Sequence, residues 1–296
     1  MASGEKVLFF AYGPAMDEKD FKRWMTVHKF RGTMRKEISG AWLVDHTLKF
    51  HYKSDERKGG IADVVSEPGS AVPGVLCSID EKHQEALDAH EGAPGVFERH
   101  EVTVCTTDLK LVKAITYKLK EEHRLAEHVR PNRKYEDLIK KGLEKYELPT
   151  ELLFNAGTKF VEEENINHVF VYGTTQRGQR ENRIMNTPKK PKGVEKAKCK
   201  GTLYDLGNFP GLTPGDKWVK GEVYIYDKGM TDNLKELDSI IGNEGTFQRV
   251  VMQVKIASSG KALWAWAYLL SEGEYEESKK PIATGDWIHY LVKGRR

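Results

Sequence analysis

Short apolar runs of strand character recur along this chain, each ended by a glycine or proline. Val7 to Tyr12 is one, closing at Gly13. His168-Val169-Phe170-Val171-Tyr172-Gly173 is another and repeats its form. In both, Gly permits a sharp turn or a close backbone approach. Val72-Pro73-Gly74-Val75-Leu76 is answered by Val219-Lys220-Gly221-Glu222-Val223. Each leads through an Asp (Asp80, Asp227) into a helical stretch and then an alternating strand. Those strands are Glu101-Val102-Thr103-Val104 and Val250-Val251-Met252-Gln253-Val254. Tyr135, Leu138, Ile139, Leu143 and Tyr146 fall at helical spacing and predict a helix over 132–154 that closes near Pro149. Asn155-Ala156-Gly157-Thr158 breaks that pattern, and the acidic Glu162-Glu163-Glu164-Asn165 reads as solvated, which places a linker over 155–167. Trp264 and Trp266 alternate as one face of a core strand.

The matching anchors lie 160 residues apart for Tyr12 and Tyr172, 147 for Gly74 and Gly221, and 150 for Asp88 and Asp238. Constant order with small shifts in spacing is the mark of a duplicated domain with loop insertions, not of a solenoid. A chain of 296 residues is long enough for two such domains, each with its own core. The expected boundaries are 1–155 and 166–296. The expected class is α+β, with each half a small mixed β-barrel-like sheet of many short strands and a few helices. No G-x-G-x-x-G or Walker pattern argues for a nucleotide fold.

One pair of motifs carries chemistry. Leu87-Asp88-Ala89-His90-Glu91-Gly92 is followed by Phe97-Glu98-Arg99, and Leu237-Asp238-Ser239-Ile240-Ile241-Gly242 by Phe247-Gln248-Arg249. The position of Glu91 is taken by Ile241 in the second copy. A carboxylate moves protons and a hydrocarbon does not. If the position is catalytic, the first copy works and the second is retired. Glu244 is the nearby carboxylate that could stand in for Ile241.

Composition narrows the field. Hydrophobic residues at 39% and charged residues at 31% suit a soluble globular protein. A net charge of +3, from 47 basic and 44 acidic residues, gives no reason to expect nucleic acid or an anionic membrane as partner. No 18-residue apolar run and no signal-peptide pattern are found, so the expected location is cytoplasmic. Cys77, Cys105 and Cys199 have no metal-ligand spacing and read as small buried hydrophobes. His83, His90 and His100 cluster in sequence without a metal-binding pattern, so no metal is expected. The basic run Lys189 to Lys200 reads as a solvated loop or strand edge, and no G-x-S-x-G nucleophile motif is present.

Taken in order, these segments resemble the gamma-glutamylcyclotransferase-like superfamily, in two tandem copies over nearly the whole chain. Phe10-Ala11-Tyr12-Gly13 resembles its first strand and substrate loop. Gly59-Gly60-Ile61-Ala62-Asp63-Val64-Val65, with Pro68-Gly69 ahead of Pro73-Gly74-Val75, resembles its central hairpin. Leu87 to Gly92 resembles the segment with the catalytic acid, and Gly285-Asp286-Trp287 a family ending. Tyr172-Gly173-Thr174 with Arg177-Gly178-Gln179 is similar to the gamma-glutamylamine branch.

The resemblance implies cleavage of a γ-glutamyl amide without a cofactor, releasing 5-oxoproline and an amine or amino acid. The substrate's own α-amino group closes a five-membered ring on the γ-carbonyl, so the enzyme supplies geometry and proton transfer. A partly buried carboxylate with a pKa nearer neutrality than a free Glu can do both transfers. Carried over by position, Glu91 is the acid/base, and Tyr12, Gly13, Pro14, Ala15, Met16 and Phe97 line the substrate site. Tyr172, Gly173 and Thr174 form the matching loop of the second domain. Tyr12 and Phe97 read equally as core aromatics, and Arg99 either as a substrate-carboxylate partner or as a solvated strand-edge residue. The family's loop commonly continues Ser-Asn, whereas Pro14-Ala15 removes one N–H donor and one polar side chain. The partner expected is a small γ-glutamyl substrate, and the fused tandem is expected to act as a monomer with its domains paired within the chain. Two other readings stay open: a non-catalytic module binding a small carboxylate or amide, and an interaction scaffold.

Overall fold

The computed structural model describes residues 6–30, 35–158, 166–227, 230–242, 245–271 and 281–294. They form two compact units, which divide in sequence between Thr158 and Ile166 except that Asp108–Lys110 group with the second. Glu244 and the acidic stretch Glu162 to Asn165 lie outside the described residues.

The first unit contains β1 (Lys6–Ala11), α1 (Glu18–Val27), β2 (Arg35–Ser54), β3 (Gly59–Asp80), α2 (Gln84–Glu91), β4 (Phe97–Thr106), β5 (Leu111–Leu119), α3 (Arg133–Lys145) and α4 (Glu151–Thr158). Its strands close into a barrel in the order β1-β3-β2-β4-β5. All neighbours are antiparallel except β1 and β5, which meet in parallel at Phe9 and Ile115 and seal the barrel. Closure removes free sheet edges. Phe9, Trp42, Val64, Val75 and Val104 on its strands are each at most 1% exposed.

The second unit repeats the plan. It contains β6 (His168–Val171), β7 (Gly193–Asp205), β8 (Pro210–Ile225), α5 (Thr231–Ile241), β9 (Phe247–Ile256), β10 (Ala262–Leu270) and α6 (Trp287–Val292). Its barrel order is β6-β8-β7-β9-β10, sealed by a parallel contact of Trp266 with Val169. The fold is α+β with two tandem five-stranded barrels, as the sequence leads one to expect.

Gly74 and Gly221 show why the repeat is legible. A Cβ on Gly74 would sit 2.4 Å from the Ala11 carbonyl oxygen and 2.6 Å from the Phe10 ring. One on Gly221 would sit 2.2 Å from the Val171 oxygen and 2.8 Å from the Phe170 ring. The same strand crossing imposes the same residue twice. At the chain's end, Gly285 has φ 59° and abuts the Trp218 carbonyl, Asp286 caps α6 by accepting from His289 N–H at 3.0 Å, and Trp287 is buried.

Three expectations need correction. The strands are not all short: β2 and β3 run for 20 and 22 residues and pair as one long hairpin. Register shifts at Glu37/Ser39, Val44/His46 and Phe50/Lys53 bend it, and such bulges also break the strict alternation that marks a strand in sequence. The helix over 132–154 is two helices, because α3 ends at Lys145 and the chain turns at Glu147, whose φ is 54°. Asn155 to Thr158 do not break a helix but belong to α4. The glycine that suggests a break is there for space, since a Cβ on Gly157 would sit 2.3 Å from Glu136 Oε1. Among the described residues no helix is long and apolar enough to cross a membrane.

Candidate active site

In the first unit, β1, the turn after it, the β2–β3 hairpin, α2 and α3 surround a cavity of about 230 Å³. Tyr12, Gly13, Pro14 and Ala15 line one wall, and Ala89, His90, Glu91, Gly92 and Phe97 another. Tyr52, Ser54, Glu56, Arg57, Tyr117, Tyr135 and Trp24 complete it.

Glu91 is the last residue of α2. The helix stops there because Gly92 takes φ 73°, and the Ala93 N–H returns to the Asp88 carbonyl at 2.9 Å, a glycine C-terminal cap. This stop leaves the Glu91 carboxylate at the cavity wall, with its side chain 24% exposed. His90 Nδ1 lies 2.9 Å from Glu91 Oε1. A carboxylate only accepts, so Nδ1 carries the proton. The imidazole is 3% exposed, packed on Phe21 and edge-on to Trp24 at centroid distances of 5.1 and 5.0 Å. Its Nε2 is buried with no partner among the described residues. The ring is therefore a fixed donor for Glu91.

The loop facing Glu91 is a single 3₁₀ turn over Pro14–Met16. Met16 N–H and Asp17 N–H donate to the Gly13 and Pro14 carbonyls, while the N–H groups of Gly13 and Ala15 enter no backbone hydrogen bond among the described residues. Those two donors stay available beside the cavity. The turn is held from behind by Arg35, whose side chain is 1% exposed. Its guanidinium donates to the carbonyl of Ala15 and, at 3.3 Å, to that of Met16, and it pairs with Glu37 at 2.5 Å. Glu37 also accepts from Tyr146 Oη at 2.8 Å and pairs with Lys145.

Tyr12 joins both of its sequence readings. Its ring lines the cavity, yet its hydroxyl donates to the Tyr117 carbonyl and receives a backbone hydrogen bond from Val64. Tyr172 does the same with Tyr268, at 2.7 Å, and Leu212. Phe97 lines the cavity while 6% exposed. Met16 does not line it: its side chain is packed under Gly142, where a Cβ would come within 2.4 Å. Arg99 does not line the cavity; its side chain is 46% exposed on the strand, with Nε 3.2 Å from Asp88 Oδ1. Tyr117 Oη donates to that same oxygen at 2.7 Å. The second unit reproduces the triad, with Tyr268 Oη 2.7 Å and Arg249 Nε 2.9 Å from Asp238 Oδ1. The repeated Leu-Asp and Phe-x-Arg motifs thus encode a brace between helix and strand.

Burial raises the hydroxyl pKa of Tyr12, Tyr117 and Tyr135 above the ordinary phenol value. Asp63 adds most to the rise at Tyr12 and Asp88 at Tyr117, and the Glu91 charge contributes at all three. They remain phenols at neutral pH and act as hydrogen-bonding groups, not bases. With the His90 proton committed to Glu91, the carboxylates left in the cavity are Glu91 and Glu56. His83 and His100 face elsewhere, 3.9 Å from Asp80 and 3.1 Å from Glu98.

The equivalent cavity of the second unit, about 400 Å³, is lined by Tyr172, Gly173, Thr174, Thr175, Arg180, Glu181, Phe209, Ile240, Ile241, Phe247 and Tyr268. Ile240 and Ile241 stand where His90 and Glu91 stand in the first, so the donor and the carboxylate of those two positions are lost together, while Glu181 still lines the cavity. The loop is braced differently too. Glu222, 1% exposed, accepts from Arg177 N–H at 2.7 Å and pairs with Lys196 at 3.0 Å. Burial pushes the pKa of this carboxyl up, but the Arg177 N–H and Lys196 outweigh that and hold it below the usual range. Of the basic run, Lys189, Lys190 and Lys192 precede β7, and Lys198 and Lys200 on that strand flank the Trp218 ring at 4.3 and 4.2 Å.

The chain is similar to known proteins. A profile of the family described as Gamma-glutamyl cyclotransferase, AIG2-like, matches residues 9–137 and 169–289. The Escherichia coli K12 gamma-glutamylcyclotransferase family protein YtfP is 35% identical over 86 residues, covering 29% of this chain and 66% of that protein, just under two thirds of its length. A Bos taurus gamma-glutamylcyclotransferase is 30% identical over 153 residues, covering 50% of this chain and 76% of that protein. Among solved structures, a gamma-glutamyl cyclotransferase aligns over 52% of this chain and 88% of its own at a TM-score of 0.45 and 24% identity. YkqA from Bacillus subtilis aligns over 92% and 86% at a TM-score of 0.38 and 17% identity. Because the profile matches a segment of each unit and most of the chain, the protein belongs to the gamma-glutamyl cyclotransferase, AIG2-like family.

Proposed function

We propose that the first unit is a γ-glutamyl cyclotransferase that needs no cofactor, and that Glu91 is its general acid/base. The observation that carries this reading is the Glu91 carboxylate, held by buried His90 on the wall of the cavity that the Gly13–Ala15 turn also lines. The substrate brings its own nucleophile. Glu91 takes a proton from the α-ammonium group, and the freed amine attacks the γ-carbonyl carbon. The oxyanion that forms is met by the N–H groups of Gly13 and Ala15. Glu91 then returns that proton to the amide nitrogen and takes the second one from the ring nitrogen. The oxyanion's electron pair reforms the carbonyl as the carbon–nitrogen bond breaks. 5-Oxoproline leaves as the neutral lactam, while the second proton passes from Glu91 to the departing amine. Folding the substrate for ring closure supplies much of the rate, because attack within one molecule avoids the entropy of bringing two together.

Pro14 fits this scheme. It removes a donor from the middle of the turn and leaves those on either side. Product identity tests the reading: γ-glutamyl dipeptides are expected to yield 5-oxoproline and the amine in equal amounts. Free glutamate in place of 5-oxoproline would mean that water, not the α-amine, attacks. His90 is a positioning residue in this scheme. His90→Ala is expected to lower kcat about tenfold with little change in KM, the scale of one hydrogen bond to a charged group. Partial recovery in His90→Asn, which restores a donor, separates that role from simple loss of packing.

A second, non-catalytic reading is favoured for the second unit alone, by Ile241 in the wall of its cavity. There we propose a cleft without turnover.

A further inference from the structure

Arg57 stands in the first cavity with more donors than its partner uses. It lies in the turn between β2 and β3, where its backbone N–H donates to Ser54 Oγ at 3.1 Å. Its Nη2 donates to Asp20 Oδ2 at 3.2 Å, the one side-chain hydrogen bond it makes among the described residues. A guanidinium carries five N–H donors in a planar fork, so most of this fork is open. The side chain is 24% exposed and lines the cavity. Among the described lining residues Arg57 carries the one permanent positive charge, opposed by Glu56 and Glu91.

Its place relative to the reacting centre is set by Tyr135. The Tyr135 hydroxyl lies 3.8 Å from where a Cβ on Gly13 would be and accepts from Ala62 N–H at 3.0 Å. The Arg57 guanidinium lies over the ring of the same tyrosine, 6.0 Å from its centroid. Tyr135 therefore separates the turn that faces Glu91 from Arg57. A glutamyl half held at that turn would leave the group on its amide nitrogen beside Tyr135, the residue that also touches the guanidinium. Asp20, whose side chain is 9% exposed, fixes the fork from behind without covering it.

We propose that Arg57 recognises a carboxylate on the leaving group, so that the substrate is a γ-glutamyl amino acid or short peptide and not a γ-glutamyl alkylamine. The inference rests on the assignment of this cavity to γ-glutamyl compounds. A planar fork facing a carboxylate is the geometry in which Arg is selective, and Lys or a neutral donor does not reproduce it.

Equilibrium binding tests this apart from turnover. Calorimetry on Glu91→Gln protein compares γ-glutamylglycine with γ-glutamylglycinamide, which has the same shape and lacks the charge. The acid is expected to bind at least about tenfold more tightly, the scale of a charge-assisted hydrogen bond. Adding Arg57→Met, or Arg57→Gln if the first does not fold, is expected to erase the preference by weakening the acid alone. Adding Asp20→Asn, which leaves the fork in place, is expected to keep it. Equal weakening of both ligands, no preference in the parent, or no binding of either overturns the proposal. Release of 5-oxoproline by the wild-type protein, followed alongside, reports on catalysis separately. Its absence with the preference intact refutes the cyclotransferase reading and leaves the carboxylate site standing.

Discussion

Asp63→Ala is expected to destabilise the first unit by about 3–5 kcal/mol, the range for removing one member of a buried charge network. Asp63 has a side chain with no exposure. Its Oδ1 accepts from the Leu119 N–H at 2.8 Å, and its Oδ2 from His51 Nε2 at 2.7 Å and Arg124 Nε at 3.2 Å. Truncation leaves a backbone donor, an imidazole and a guanidinium without their acceptor at once. The second unit shows that the fold itself does not need this cluster. Val64 and Leu212 make the same bond to Tyr12 and Tyr172, so Gly211 stands where Asp63 stands. A Cβ on Gly211 would lie 3.0 Å from both Leu206 and Leu270. Apolar packing there replaces the ionic ring, a substitution that buried networks tolerate when all members change together. Urea unfolding followed by a probe confined to the first unit checks the figure, since two units need not unfold as one. A loss below about 1 kcal/mol would mean that the partners find water instead.

Glu91→Gln is expected to lower kcat for 5-oxoproline release by roughly 10²–10⁴-fold, the usual contribution of a positioned acid/base. The amide keeps the size of the carboxylate and can still meet His90, so KM and folding are expected to change little. What is lost is proton uptake from the α-ammonium and its return to the leaving nitrogen. The tyrosines cannot take over, because burial keeps their protons in place. A kcat within threefold of wild type would move the acid/base role to Glu56, the other carboxylate of the cavity.

The features legible in the sequence are those the chain states twice. Tyr-Gly, Gly74 with Gly221, and the Leu-Asp and Phe-x-Arg motifs each serve the same contact in both barrels, so repetition alone marks them. The repeat marks the motifs that hold Arg99 and Asp88 but not the brace they form, because Tyr117 joins it from 29 residues away. What one copy holds alone stayed hidden. Arg35 reaches back 20 residues to the Ala15 carbonyl, Arg124 reaches 61 to Asp63, and Arg57 reaches 37 to Asp20. No local spacing encodes such pairs. The resemblance marks a central hairpin over 59–75, but that stretch lies in the single strand β3, whose length and pairing with β2 are hidden because bulges interrupt the alternation. α4 is hidden because Gly157 in its last turn imitates a stop.

The measurement that bears most directly on one working cleft is 5-oxoproline release by Glu91→Ile, which writes the second copy's residue into the first. The expected result is a folded protein with less than about 1% of wild-type turnover, in line with loss of a general acid/base. Its stability is expected to fall by no more than about 1–3 kcal/mol, the cost of one buried donor left unpaired at His90. A Glu91→Ile protein that releases 5-oxoproline at the wild-type rate contradicts the assignment.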